Sequence, residues 1–258
     1  MPEEAHKDPQ AALTPLFREA KNTDEFEYCC TLLRLRGLDF QRLDPLLETS
    51  DLSRQLTRLL DAPIDPTLRL RLGLFLYCHL SEADDPPRIV ANLLRVVQGQ
   101  RYTLDPFAGV VHSSGQDARS PLARALRVAE WADSQGFSDL AAVYRAFILR
   151  PVRNAFFHSD YVVTDALFHI KHGEMVEIDG SPTRDVPLAW LVPRLNLGID
   201  VVLGVINLAI EGLRSYSENK LVRGRFASDG SFMDIELTTR EGVGLVGFRS
   251  PPQKLETA

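Results

Sequence analysis

Apolar residues recur along most of this chain at steps of three and four, the spacing that gathers side chains on one face of an α-helix, and the last third adds two-residue alternation of the kind strands show. Helices are predicted over 11–21 and 24–36. In the second, Phe26, Cys29 or Cys30, and Leu33 share a face, Asp24 is placed to cap and Gly37 to stop it. Shorter helices are expected over 43–48 and 51–61, before the turn Pro63-Ile64-Asp65-Pro66. Residues 67–81 carry Leu68, Leu70, Leu72, Leu74, Phe75, Leu76, Cys78 and Leu80. Their alternation permits a strand, but length and leucine content favour a helix. A further helix over 88–98 ends at Gly99 as C-cap, and 101–120 reads as a long connector or a lid. Pro121 opens a helix that Gly136 closes, and Ser138 caps the next one through Leu140, Val143, Tyr144, Phe147 and Ile148. Pro151 lacks a backbone donor and crowds the preceding turn, so the helix should kink or restart there.

Beyond Tyr161 short strands are expected over 161–163, 166–170 and 175–178, with 171–174 linking them and Asp179-Gly180 as a turn, giving a β-hairpin at about 161–180. Helical spacing resumes over 187–216 through Leu188, Leu191, Leu195, Ile199, Val202, Ile206, Ala209 and Leu213. A meander follows over 221–226, 232–238 and 243–248, turning at Asp229-Gly230, and a Pro251-Pro252 tail closes the chain. The expected fold is mainly α: a helical bundle with a β-hairpin insertion and a small C-terminal antiparallel β-meander. Its regions are 1–65, 66–217 and 218–258.

A formal charge of −6 over 258 residues argues against a surface coated in positive potential for indiscriminate nucleic-acid binding, though arginines at 119, 124, 127, 145, 150 and 153 make one segment locally basic. Cys29, Cys30 and Cys78 form no CxxC pair and suit a reducing compartment. The first residues lack the apolar core of a signal peptide. The apolar run 197–210 is interrupted by Asp200 and Asn207 and is short for a bilayer, so a soluble cytoplasmic protein with no membrane contact is expected.

Chemistry outside the basic segment is sparse. His112-Ser113-Ser114 has no nucleophile elbow around it. His79 has no metal-spaced companion and reads as a core or interfacial histidine, while His169 and His172, with Glu177 or Asp179, make a weak metal set. No metal and no cofactor is expected. Neither a Walker loop nor Gly-x-Gly-x-x-Gly occurs.

The dense stretch is Arg150-Pro-Val-Arg-Asn-Ala-Phe-Phe-His-Ser-Asp-Tyr161. On a helix Asn154 and His158 share a face, and the long stem of Arg153 can return its guanidinium toward the imidazole. Arginine offers a planar fork of donors to phosphate, and histidine moves protons near neutrality. The plain alternative is a structural ion pair from Arg153 to an acid such as Asp200 or Glu211.

Arg153-Asn154-Ala155-Phe156-Phe157-His158 resembles the Arg-Asn-x-x-x-His signature of the HEPN superfamily, many of whose members are metal-independent endoribonucleases in toxin, antiphage or RNA-processing systems. The resemblance implies that Arg153 holds the scissile phosphate, His158 assists proton transfer at the ribose 2′-hydroxyl and Asn154 orients both. It implies a homodimer that brings two motifs together, an RNA or nucleotide substrate, and a protein partner such as an antitoxin or regulator. Arg150, Ser159, Asp160 and Tyr161 flank the motif as candidate substrate contacts. The competing expectation is a non-catalytic nucleotide-binding, RNA-binding or dimerisation module.

Overall fold

Asp-Pro pairs start three of the first four helices. In the computed structural model, which describes residues 8–35, 44–109, 120–225 and 231–251, α1 (Pro9–Thr23), α3 (Pro45–Leu60) and α4 (Pro66–Glu82) begin at such a pair. The carboxylates of Asp8, Asp44 and Asp65 accept first-turn N–H groups of Gln10, Leu46 and Leu68 at 2.9, 2.9 and 3.0 Å. Proline at the first helical position needs no such partner. Asp24 caps α2 (Glu25–Leu33) in the same way through Glu27 N–H at 3.0 Å.

Two short helices expected over 43–48 and 51–61 are the single helix α3. Ser53 donates its hydroxyl to the Thr49 carbonyl at 2.7 Å and is buried, so the polar residues between the two apolar stretches stay inside the helix instead of breaking it. The Gly37 stop, His112-Ser113-Ser114, the Asp229-Gly230 turn and both chain ends lie outside the described residues.

After α5 (Asp85–Val97), α6 (Pro121–Ser134), α7 (Ser138–Ala146) and α8 (Arg150–Phe157), the chain enters its strands and then α9 (Leu188–Arg214). This last helix packs along α1 and α4. It buries Leu191, Leu195, Ile199, Val202, Ile206 and Ala209, the stripe its three- and four-residue spacing predicts. Its 27 residues fall within the 187–216 span expected, and length and composition alone would let it cross a membrane. Half of its most apolar window is nevertheless buried within the fold, so it forms part of the core. One cluster of buried side chains runs from Ala12 in α1 to Leu245 near the chain's end, and the three regions drawn from sequence all contribute to it.

The strands pair differently from the expected hairpin. β1 (Tyr161–Val163) lies antiparallel to β2 (Leu167–Ile170), whose other edge pairs with β5 (Asp185–Pro187), and β3 (Val176–Ile178) and β4 (Ser181–Thr183) form a separate hairpin around Asp179-Gly180. Both turn residues have positive φ, 51° and 75°, as a two-residue primed turn requires. β2 cannot fold directly onto β3, because Ile170 donates its N–H to Arg184 and Lys171 donates to the Asp160 carbonyl. The mainly α fold and the C-terminal meander do form: β6 (Lys220–Gly224), β7 (Met233–Arg240) and β8 (Gly244–Arg249) pair in order. Gly244 anchors that sheet on the end of α9. Its φ is +92°, and a Cβ there would lie 2.2 Å from the Leu213 carbonyl oxygen.

Candidate functional site

The helix restart at Pro151 is held from outside by one hydroxyl. Tyr77 on α4, buried in the core, donates to the Phe147 carbonyl at 2.8 Å and accepts from the Leu149 N–H at 2.7 Å. Those two backbone groups belong to the break between α7 and α8, where helical hydrogen bonds lapse, so Tyr77 supplies the partners that a continuous helix would have given. Burial pushes its phenol well above the ordinary tyrosine range.

α8 therefore starts at a fixed point, with Val152 and Ala155 facing the core and the motif residues on its outer side. Arg153 remains 23 % exposed. Its Nη1 donates to the Asn154 side-chain oxygen at 3.2 Å and its guanidinium stands over the Phe157 ring, 5.6 Å from the centroid. The acid that meets it is Glu82, at the last turn of α4. Asp200 and Glu211, the acids weighed from sequence, are instead exposed positions of α9. Sequence offered no signal for Glu82, since the pair joins two helices far apart in the chain. Asn154 thus fixes the guanidinium, while Glu82 neutralises part of its charge.

His158 is the C-cap of α8 and is exposed. The chain leaves the helix through a Schellman turn, with Asp160 N–H donating to the Ala155 carbonyl at 2.8 Å and Ser159 N–H to that of Phe156 at 3.1 Å. Ser159 occupies the left-handed position at φ 53°, where glycine is the usual residue. The motif's imidazole accordingly sits at a helix end whose geometry is held with some backbone strain.

The flanking candidates have mainly local partners. Asp160 accepts the His172 backbone N–H at 3.0 Å and pairs with its Nδ1 at 2.8 Å, which holds the carboxyl below its ordinary range, and its carbonyl takes the Lys171 N–H. Tyr161 stacks on Phe168 with centroids 5.0 Å apart and also leans on Phe156. Arg150 is exposed and pairs with Glu174 at 3.0 Å. Ser159 is exposed.

The two histidines considered as a metal set take different carboxylates, His169 that of Asp185 at 2.5 Å and His172 that of Asp160. Among the described residues no group of three or more histidine, cysteine or acidic side chains is arranged to hold a metal ion. His79 is half-buried on α4, parallel to the exposed Phe75 ring with centroids 6.5 Å apart, and its Nε2 is shielded without a hydrogen-bond partner. All three cysteines are buried and unpaired, and burial pushes the Cys29 and Cys78 thiols up to about 12, which leaves them poor nucleophiles.

The arrangement places a guanidinium at Arg153 and an exposed imidazole at His158, five residues apart on a helix whose start and finish are both fixed. Compared with protein-family models, curated proteins and solved structures, the chain matches none of them.

Proposed function

We propose that this chain is a metal-independent endoribonuclease of the HEPN type, acting in the cytoplasm as a homodimer. The observation that carries the reading is an exposed imidazole at the C-cap of α8, with Arg153 five residues earlier and its guanidinium oriented by the Asn154 amide. In that chemistry His158 removes the proton from a ribose 2′-hydroxyl, whose oxygen attacks the neighbouring phosphorus. Arg153 stabilises the charge that builds on the phosphoryl oxygens, and the departing 5′-oxygen takes a proton from the second protomer's His158. The products are a 2′,3′-cyclic phosphate and a 5′-hydroxyl. A toxin or antiphage setting, with an antitoxin or regulator as protein partner, follows from the same resemblance.

Glu82 supports a second reading. An acid already paired with Arg153 suits a non-catalytic module in which the motif binds nucleotide or RNA phosphate, or fastens two protomers. Incubating wild type and His158→Ala with mixed RNAs in excess chelator separates the two. Cleavage by the wild type alone, with cyclic-phosphate ends, is the expected result. Equal inactivity across a broad substrate screen, with RNA binding retained, would leave the binding module.

A further inference from the structure

Two side-chain stripes meet at the Glu82–Arg153 pair. On α4, Phe75, His79 and Glu82 stand four and three residues apart and so share one face. On α8, Arg153 and Phe157 do the same. Phe75 and Phe157 are 45 % and 48 % exposed, unusual for phenylalanine on a helix that has core to face. Around them lie a guanidinium over one ring and an imidazole parallel to the other. The face is neither a plain apolar patch nor a charged one. It alternates flat rings with hydrogen-bonding groups.

We infer that α4 contributes a nucleobase subsite to this chain, with Phe75 and Phe157 as stacking surfaces beside the phosphate held at Arg153. The inference rests on the RNA-binding part of the functional reading above, and it adds residues that lie outside the motif segment. Phe75 to Glu82 spans seven residues, or about 10 Å along a helix, a span on the scale of one to two nucleotides of an extended strand. Every base presents a π-face, so exposed rings next to a phosphate contact hold unstacked bases without regard to sequence. A second copy of the chain is the competing occupant. The alternation of rings with guanidinium and imidazole favours the base, since a dimer core gains little from leaving Arg153 and His79 polar groups between its aromatic side chains.

The test measures binding without cleavage. A short fluorescein-labelled RNA with 2′-O-methyl riboses, and the same strand made abasic at its central positions, are titrated by anisotropy against wild type, Phe75→Ala, Phe75→Trp and Phe157→Ala. Loss of one ring should weaken binding of the base-bearing strand about five- to 100-fold, leave the abasic strand almost unchanged, and be rescued by Phe75→Trp with indole quenching on binding. Equal affinity of wild type and Phe75→Ala for the base-bearing strand, or no binding by the wild type, would overturn the subsite. So would a shift of Phe75→Ala to a smaller species in sedimentation with RNA affinity intact, which would give the ring to a second copy. Cleavage that survives His158→Ala would defeat the catalytic proposal while leaving this binding result standing.

Discussion

Gly198 on α9 faces the ring of Tyr77 so closely that a Cβ built on the glycine would lie 2.6 Å from Tyr77 Cε2. The ring cannot retreat cheaply, because its hydroxyl is tied to the Phe147 carbonyl and the Leu149 N–H. α9 thus sets the depth of Tyr77, and Tyr77 sets where α8 begins.

Gly198→Ala opposes two effects. Alanine in place of a helical glycine favours the helix by roughly 1 kcal/mol. Overpacking against a fixed ring costs about 1–3 kcal/mol, and losing either Tyr77 hydrogen bond adds about 1 more. The expected outcome is a net loss of about 1–3 kcal/mol in urea unfolding. Combined with Tyr77→Phe, which removes the same two hydrogen bonds, the losses should be less than additive. A neutral or stabilising Gly198→Ala would show that the ring moves freely.

How much of this was legible in the sequence depends on how local the cause is. The restart at Pro151 and the C-terminal meander each follow from neighbours within a few residues, and both appear in the structure; the Asp-Pro helix starts are equally local, but the apolar spacing placed those helices at 11, 43 and 67 instead. The motif segment was visible for the same reason. What failed was non-local: β2 takes β5 as its second neighbour, not β3, because backbone groups of Asp160 and Arg184 intervene. Glu82 and Tyr77 reach the site from α4 by tertiary packing, and nothing in the spacing of either residue announces it. Where two short helices were expected, burial of Ser50 and Ser53 on the packed face keeps α3 whole.

Ser159 holds a left-handed conformation that costs an L-residue about 1–2 kcal/mol and glycine almost nothing. Against that, glycine gives the unfolded chain more freedom, which returns part of the gain. Ser159→Gly should stabilise the protein by about 0.5–1 kcal/mol, and Ser159→Val should destabilise it by more than that, both read by thermal unfolding. If glycine instead lowers stability, the serine side chain makes a contact that outweighs its strain.

Glu27 on α2 is buried, with Tyr102 N–H donating to it at 2.8 Å and Arg101 3.4 Å away. Desolvation dominates these contacts and raises its pKa above the ordinary value of 4.5. Between that value and the raised one, the folded protein keeps a proton that the unfolded chain releases, so this group's contribution to stability falls as pH rises through the window. Glu27→Gln lacks the titration. The stability of the wild type relative to this variant should therefore decline as pH rises from the ordinary value of 4.5 through the raised one in parallel denaturation series. A relative stability that climbs with pH would mean that Arg101 and Tyr102 outweigh burial.

Glu82 competes with any phosphate for Arg153, and the competition has a predictable size. The carboxylate is 40 % exposed, so the pair is screened and contributes about 0.2–1 kcal/mol, as surface pairs do. Glu82→Gln keeps an oxygen for the guanidinium but removes the charge, so under the RNA-binding reading the variant should bind a non-cleavable RNA about two- to fivefold more tightly. The gain should shrink as salt rises, because added phosphate contact is what it reports. Arg153→Ala should abolish that gain when combined with Glu82→Gln, and by itself should weaken binding. If Glu82→Gln weakens RNA binding to the same extent as Arg153→Ala, the acid is positioning the guanidinium instead of occupying the phosphate's place. If neither change alters affinity at any salt concentration, Arg153 does not contact RNA and its pairing with Glu82 is part of the scaffold alone.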